Sequence, residues 1–446
     1  MKQPSIVIRD IQIVNRGVIK TADIYIKDGL INKIDGIITH SADIELDGSG
    51  KHLIPGIIDT QVHFREPGLT HKASIYTEAK AAVMGGVTSF MEMPNTKPPA
   101  ITKALLEEKY ALGAAHSVAN YSFFMGATND NVEEVLKAIS GEVCGVKIFM
   151  GSSTGNMLVD QPKALHTLFS EIPILISTHC EDEQTIKRNE AAFLAAYGED
   201  IPISCHPEIR SVKACLLSSE LAVSLAKSYG TRLHILHIST SDELYLFDNN
   251  IPLKEKKITS EVCVHHLYFN ANDYDSLGSL IKCNPAIKSE EHQKALLSGL
   301  LSDQLDIIAT DHAPHTLTEK RQNYFSAPSG VPLVQHSLQI MLDFYHNGMI
   351  SLEKMVEKMC HAPSDCFRIK NRGYVEEGYA ADLAVIDIDT PYKVTTENIA
   401  YQCKWSPLLG KTMKGAVLST IVNGNLVWHE GKINDDIKGE RLAFIR

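Results

Sequence analysis

The stretch Leu53-Ile54-Pro55-Gly56-Ile57-Ile58-Asp59-Thr60-Gln61-Val62-His63-Phe64-Arg65-Glu66-Pro67-Gly68 decides how the rest of the chain is read. An apolar run broken by Pro55-Gly56 ends in a cluster of polar and ionisable side chains. Continuous apolar segments of this length fit a strand covered on both faces, as in a parallel sheet. Polar residues at the C-terminal end of such a strand lie where α/β barrels carry their chemistry. Side chains repeat every two residues along a strand, so positions 61 and 63 face the same way. A metal site here calls for imidazole at both, and the chain offers His63 but Gln61.

Outward from this stretch, apolar strands alternate with helical periodicity. Strands are expected at 53–64, 87–94, 120–127, 144–150, 173–180, 233–239, 258–269 and 305–311. Helical patterns fall between them, as at 74–84, 103–115, 132–139 and 212–228, and another covers 333–362. This alternation over about 300 residues predicts a (β/α)8 barrel, the TIM-barrel form of the α/β class, at 53–369. The ends differ. Residues 5–14, 22–29 and 31–37 read as short strands, 373–387 as two strands with a turn, and 419–428 as another. Segments 1–52 and 370–446 are therefore expected to form one composite β-sandwich, since the ends of a domain often lie close together.

Composition removes several classes of function. The chain has 446 residues, of which 44% are hydrophobic and 22% charged, and reads as a soluble globular protein. A net charge of −11 without a long basic run argues against nucleic-acid binding. Neither a signal-peptide core nor an 18-residue apolar run is present, which argues against secretion or a membrane span. Nine cysteines, an odd number without Cys-x-x-Cys pairs, suggest reduced thiols and a cytoplasmic setting.

The expected strand ends carry His63 and Arg65, Asn95, Lys147, His179, His237, and Asp311 with His312 and His315. Taken singly, each has an ordinary structural explanation. A histidine can be a hydrogen-bonded structural residue, Lys147 an amphipathic stem reaching solvent, and Asp311 a helix N-cap. Glu261, His265 and His266 are read as structural, and Cys180 as a core residue facing away from His179. Lys147 lies within Gly-Val-Lys-Ile-Phe-Met, where an ammonium without a partner is costly. Jointly, His63, Lys147, His179, His237 and Asp311 converge on one barrel face, which points to a divalent metal.

Pro55 to Gly68, Glu92-Met93-Pro94-Asn95-Thr96, Lys147-Ile148-Phe149-Met150, Thr178-His179-Cys180-Glu181, Leu236-His237-Ile238-Ser239-Thr240, Cys283-Asn284-Pro285 and Thr310-Asp311-His312-Ala313-Pro314-His315 resemble the dihydroorotase branch of the cyclic amidohydrolases. The likeness covers nearly the whole chain and includes Gly378-x-x-Ala381-Asp382-Leu383 of the terminal β module. It implies a one- or two-ion site, usually zinc, bridged by Lys147 after CO2 has converted it to a carbamate. One ion would use His63, Lys147 and Asp311, with Gln61 a doubtful donor; the other would use Lys147, His179 and His237. Asp311 would be the catalytic general base. Arg65, Asn95 and His315 would hold the substrate carboxylate, while Asn284 and Ala327 would contact the ring. The stretch Ser152-Ser153-Thr154-Gly155-Asn156 resembles a loop that closes over substrate, and reads equally as an ordinary polar loop.

The implied reaction is the reversible cyclisation of N-carbamoyl-L-aspartate to dihydroorotate in pyrimidine synthesis. The rivals are a hydantoinase- or allantoinase-type cyclic amidase and a catalytically impaired structural partner of aspartate transcarbamoylase. A homodimer is a further expectation of the resemblance.

Overall fold

The structure is a computed structural model that describes residues 3–139, 143–151 and 157–445. The expected loop at 152–156 lies outside these. The chain forms a (β/α)8 barrel and an outer β-sandwich built from its two ends.

The eight barrel strands begin at Ile57–Val62, Val87–Glu92, Asn120–Phe123, Val146–Phe149, Ile176–His179, Leu233–Ile235, Ile258–Cys263 and Ile307–Ala309. Neighbours pair in parallel, as in Phe90 with Tyr121 and Lys147 with Ser177. The third position is split. Asn120–Phe123 pairs with the second strand, and Met125–Gly126 continues to the fourth. The ring closes where the His63 N–H donates to the His312 carbonyl at 2.7 Å. Every barrel strand except the first residue of the seventh is buried throughout, polar residues such as Asn120, Ser177 and Glu261 included, as in a parallel sheet covered on both faces.

Several expected boundaries shift. The single strand expected at 53–64 is two. His52–Pro55 belongs to the outer sheet, and the barrel strand starts after Gly56. A Cβ at Gly56 would meet the Thr88 hydroxyl at 2.0 Å, so only glycine lets the chain pass there. The seventh strand ends at Cys263, and Val264–Tyr268 is a short helix rather than more strand. At the C-terminal end, residues 373–382 are turns with one isolated bridge, and one long strand, Leu383–Lys393, follows. The strand expected at 419–428 is a hairpin of Thr412–Val422 and Asn425–His429.

The outer sheet joins the two chain ends directly. His52–Pro55 lies between Ile6–Asn15 on one side and Leu383–Lys393 on the other, with Leu53 opposite Val385. A compact apolar cluster of Ile8, Ile24, Ile31, Leu53, Val375 and Leu383 fills this region. The larger core packs barrel strands against the helices around them. Three of those helices start on side-chain caps. Ser74 caps Ile75–Met84, Thr102 caps Lys103–His116, and Ser211 caps Val212–Tyr229. Among the described residues no helix is long and apolar enough to cross a membrane.

Candidate active site

The C-terminal ends of the barrel strands surround a cleft of about 510 Å3. Its walls include Gln61, His63, Arg65, Asn95, Lys147, His179, His237, Asn284, Asp311, His315 and Ala327, so all the expected metal, catalytic and substrate-contacting residues reach one cavity, while the strand-end His312 turns away to Glu78 at 2.8 Å. Asp311 is not a helix cap, because the next helix starts at Leu317 and is capped by Thr316. Arg65, His237 and Asp311 all have left-handed backbone, with φ of 67°, 38° and 47°. Such strain in non-glycine residues collects where side chains must be aimed at a site.

Four contacts show what the cleft can hold. His179 Nε2 donates to Glu181 Oε2 at 2.8 Å, which leaves Nδ1 as a lone pair 2.9 Å from His237 Nε2. Two imidazoles on one tetrahedral zinc place their nitrogens about 3.3 Å apart, given Zn–N bonds of about 2.0–2.1 Å. His63 Nδ1 donates to Asn95 Oδ1 at 2.8 Å, so its Nε2 lone pair faces Asp311 Oδ1 at 3.1 Å. Two acceptors at that distance need a proton or a cation between them. Burial pushes the His63 imidazole below its usual range, which favours the cation over the proton. Where a proton rather than a cation fills this place, burial opposes ionisation of Asp311, but the hydrogen bond and charge of the protonated His63 outweigh it and hold the carboxyl below its ordinary value.

Lys147 is 1% exposed, and its ammonium lies 4.6 Å above the Phe149 ring. Among the described residues it makes no side-chain hydrogen bond. Burial lowers it to about 7, against the pull of Asp311 and Glu261. A large share of neutral amine at neutral pH is what reaction with CO2 requires, and a carbamate would bring anionic oxygens into a space lined with cation ligands. The donor set therefore fits a divalent ion.

Gln61 is the exception. Its Nε2 donates to Asp311 Oδ1 at 3.1 Å, and its Oε1 accepts from the Cys263 thiol at 3.9 Å. The carboxylate can only accept and the thiol can donate, so both partners agree on the orientation. The amide oxygen is turned away from the His63–Asp311 pair.

Beside this site, Arg65 Nε donates to the Pro314 carbonyl at 3.0 Å and Nη2 lies 2.9 Å from His315 Nε2. Lys72 Nζ sits 2.9 Å from His315 Nδ1, and the Ser329 carbonyl lies 3.1 Å from His315 Nε2. A neutral imidazole cannot accept from both cations and also donate to Ser329. Burial, then Arg65 and Lys72, drive His315 well below its usual range, and burial lowers Arg65 to about 10. Lys72 is paired with Glu319 Oε1 at 3.0 Å, whereas among the described residues Arg65 has no carboxylate within ion-pair distance. Asn284 Oδ1 accepts from Ser329 Oγ at 3.0 Å, and the Ala327 carbonyl accepts from Lys282 Nζ at 2.7 Å, so both belong to the loop framework of the cleft wall.

Residue 52 to residue 427 matches the Amidohydrolase family. The chain belongs to the amidohydrolase family. Among its relatives, a dihydroorotase of Pyrococcus abyssi is 34% identical over 430 residues, covering 93% of this chain and 95% of that one. A dihydroorotase of Methanosarcina acetivorans is 30% identical over 445 residues, covering 97% and 93%. Among solved structures, the L-hydantoinase (dihydropyrimidinase) from Arthrobacter aurescens superposes with a TM-score of 0.94 at 26% identity, covering 99% of this chain and 100% of that chain. The match to this family runs across the barrel, the strand His52–Pro55 and the C-terminal strands of the outer sheet as far as residue 427.

Reading the sequence alone passed over Glu181 and Arg210. Arg210 pairs with Glu181, which orients His179. Burial opposes the Glu181 charge, yet Arg210 and His179 carry the carboxyl down to about 2. Glu181 could have been found two residues beyond His179 on the same strand end. Arg210 had no such signal, because it reaches the cleft from the turn before a helix. Lys282 and Tyr324 also line the cleft, and neither lies at a strand end.

Proposed function

We propose that the protein is a dihydroorotase, interconverting dihydroorotate and N-carbamoyl-L-aspartate in pyrimidine synthesis. The observation that carries this reading is the buried Arg65 guanidinium, which meets the Pro314 carbonyl and the His315 ring but, among the described residues, pairs with no carboxylate. A substrate carboxylate set against Arg65 would supply the acceptors and form charge-assisted hydrogen bonds. A neutral hydantoin offers no such group.

His179 and His237 would hold one divalent ion, zinc by resemblance, with a carbamate on Lys147 as the shared ligand. His63 and Asp311 would hold a second, more weakly, because Gln61 turns its oxygen aside. An ion bound there supplies Lewis acidity and lowers the pKa of water towards neutrality. Asp311, aimed into the cleft by its left-handed backbone, takes the proton of the attacking water and delivers it to the ring nitrogen as the amide bond breaks. In the reverse direction it accepts the proton of the closing nitrogen, and water leaves. Asn95 holds the His63 ring in place, and Asn284 and Ala327 border the substrate ring.

The fold likeness to L-hydantoinase and the Lys147-Ile148-Phe149-Met150 run support a second reading as a hydantoinase- or allantoinase-type amidase of neutral rings. Gln61 supports a third, an impaired chain that serves as a partner of aspartate transcarbamoylase. Comparing turnover of dihydroorotate, dihydrouracil and a hydantoin by the zinc-replete protein separates them. Preference for dihydroorotate supports the proposal, and preference for a neutral ring overturns it. Absence of all turnover leaves the partner reading.

A further inference from the structure

The seventh barrel strand ends at Cys263, and the helix that follows carries His265 and His266. The strand brings Cys263 to the barrel interior beside Gln61, while the change to helix folds the two imidazoles back over the thiol. A ligand atom of each residue lies within 4.8 Å of those of the other two, and all three are buried. Among the described residues, this is the one place where three such side chains come so close. None of them lines the substrate cleft.

The hydrogen bonding here is incomplete in a specific way. His266 Nε2 donates to the Pro285 carbonyl at 3.0 Å, which fixes the tautomer and leaves Nδ1 as a lone pair without a partner. A carbonyl on the far nitrogen is how proteins commonly orient a metal-binding imidazole. Neither ring nitrogen of His265 makes a hydrogen bond, although the Thr310 backbone lies close by. His265 is 1% exposed and His266 is 3% exposed, so solvent does not satisfy them. Buried polar atoms left without partners in this way call for an ion or an ordered water. Beside them, the Cys263 thiol points at Gln61 Oε1, 3.9 Å away.

We propose that Cys263, His265 and His266 form a buried site for a zinc-class divalent ion, with Gln61 Oε1 as the adjacent oxygen, distinct from the site in the cleft. One thiolate and two imidazoles are a donor set suited to zinc, and an amide oxygen or a water completes four-coordination. Zinc bonds of about 2.0–2.3 Å would draw the three ligand atoms about 1 Å closer together. Binding releases the thiol proton and replaces the weak thiol–amide contact. The ion would tie the strand end, the short helix and Gln61 together beneath the cleft. This site does not rest on which cyclic amide the enzyme uses.

The test is zinc X-ray absorption on full-length protein purified without chelators from zinc-supplemented cells, alongside Cys263→Ala. The wild type should show a sulfur neighbour at about 2.3 Å from zinc. Cys263→Ala should lose that sulfur together with zinc equivalents that the wild type retains. His265→Asn, which keeps the thiol, should also lose sulfur-bound zinc, so the outcome does not depend on one variant folding. A wild type with no zinc, or zinc with only nitrogen and oxygen neighbours, overturns the proposal. So does a sulfur signal that persists in Cys263→Ala, because the other cysteines would then be its source.

Discussion

Asp311 Oδ1 takes the Gln61 amide donor and faces the His63 lone pair, so one carboxylate oxygen carries much of what the site does. Asp311→Asn keeps the shape but removes the proton carrier, and turnover should fall at least about 10²-fold with an unchanged melting temperature. Steady-state assays beside thermal unfolding check both parts. Arg65→Met removes the charge-assisted pairing, so KM for dihydroorotate should rise while kcat changes little. Lys147 gives a pH dependence. Only the neutral amine adds CO2, and burial lowers this lysine to about 7. In metal-free protein with 13C-bicarbonate, the carbamate NMR signal should therefore grow as pH rises through 7. Growth only above about pH 9, near the ordinary lysine range, would contradict the assignment. At this scale the sequence was informative because strand-end residues are fixed by period two. Glu181 and Arg210 escaped because their work is to orient another residue, through a contact between distant elements.

At the scale of elements, runs of apolar residues located the barrel strands but not their ends. Burial on both faces removes the alternation that would mark a boundary, so the 53–64 run hid a change of sheet at Gly56. Likewise, Val264 and Leu267 are as apolar in a helix as they would be in a strand, and the turn after Cys263 left no mark. Element packing also buries an ion pair. Lys109 Nζ on the helix Lys103–His116 lies 3.0 Å from Glu92 Oε2, and both side chains are 1% exposed. Glu92 Oε1 also accepts the Phe64 N–H at 2.9 Å, which steadies the segment leading to Arg65. Lys109→Met leaves a buried carboxylate alone and should cost about 3–5 kcal/mol, as denaturant unfolding would read. Adding Glu92→Gln should restore part of the loss. A destabilisation of Lys109→Met below 1 kcal/mol would show that the pair is not what secures this contact.

Across the whole molecule, the two chain ends meet in one outer sheet while the barrel gathers residues from 61 to 330 around the cleft. The alternation of strand and helix made the barrel legible. The joining of the ends was legible only as a general tendency, since no residue in 1–52 names its partner in 370–446. The same long-range gathering makes Gln61 consequential, because its partners Asp311 and Cys263 come from strands far along the chain. Gln61→His should raise the number of ions retained per chain, measured by elemental analysis after dialysis. Equal and full occupancy before and after the substitution would show that Gln61 does not weaken the ion nearest His63. The most direct test of the account is the ratio of kcat/KM for dihydroorotate to that for dihydrouracil, measured on the zinc-replete protein. The two rings differ by the carboxylate that Arg65 and His315 are proposed to hold. The account predicts a preference for dihydroorotate of at least about tenfold, the factor that about 1.4 kcal/mol of charge-assisted binding gives. Equal use of both rings, or a preference for dihydrouracil, would contradict it.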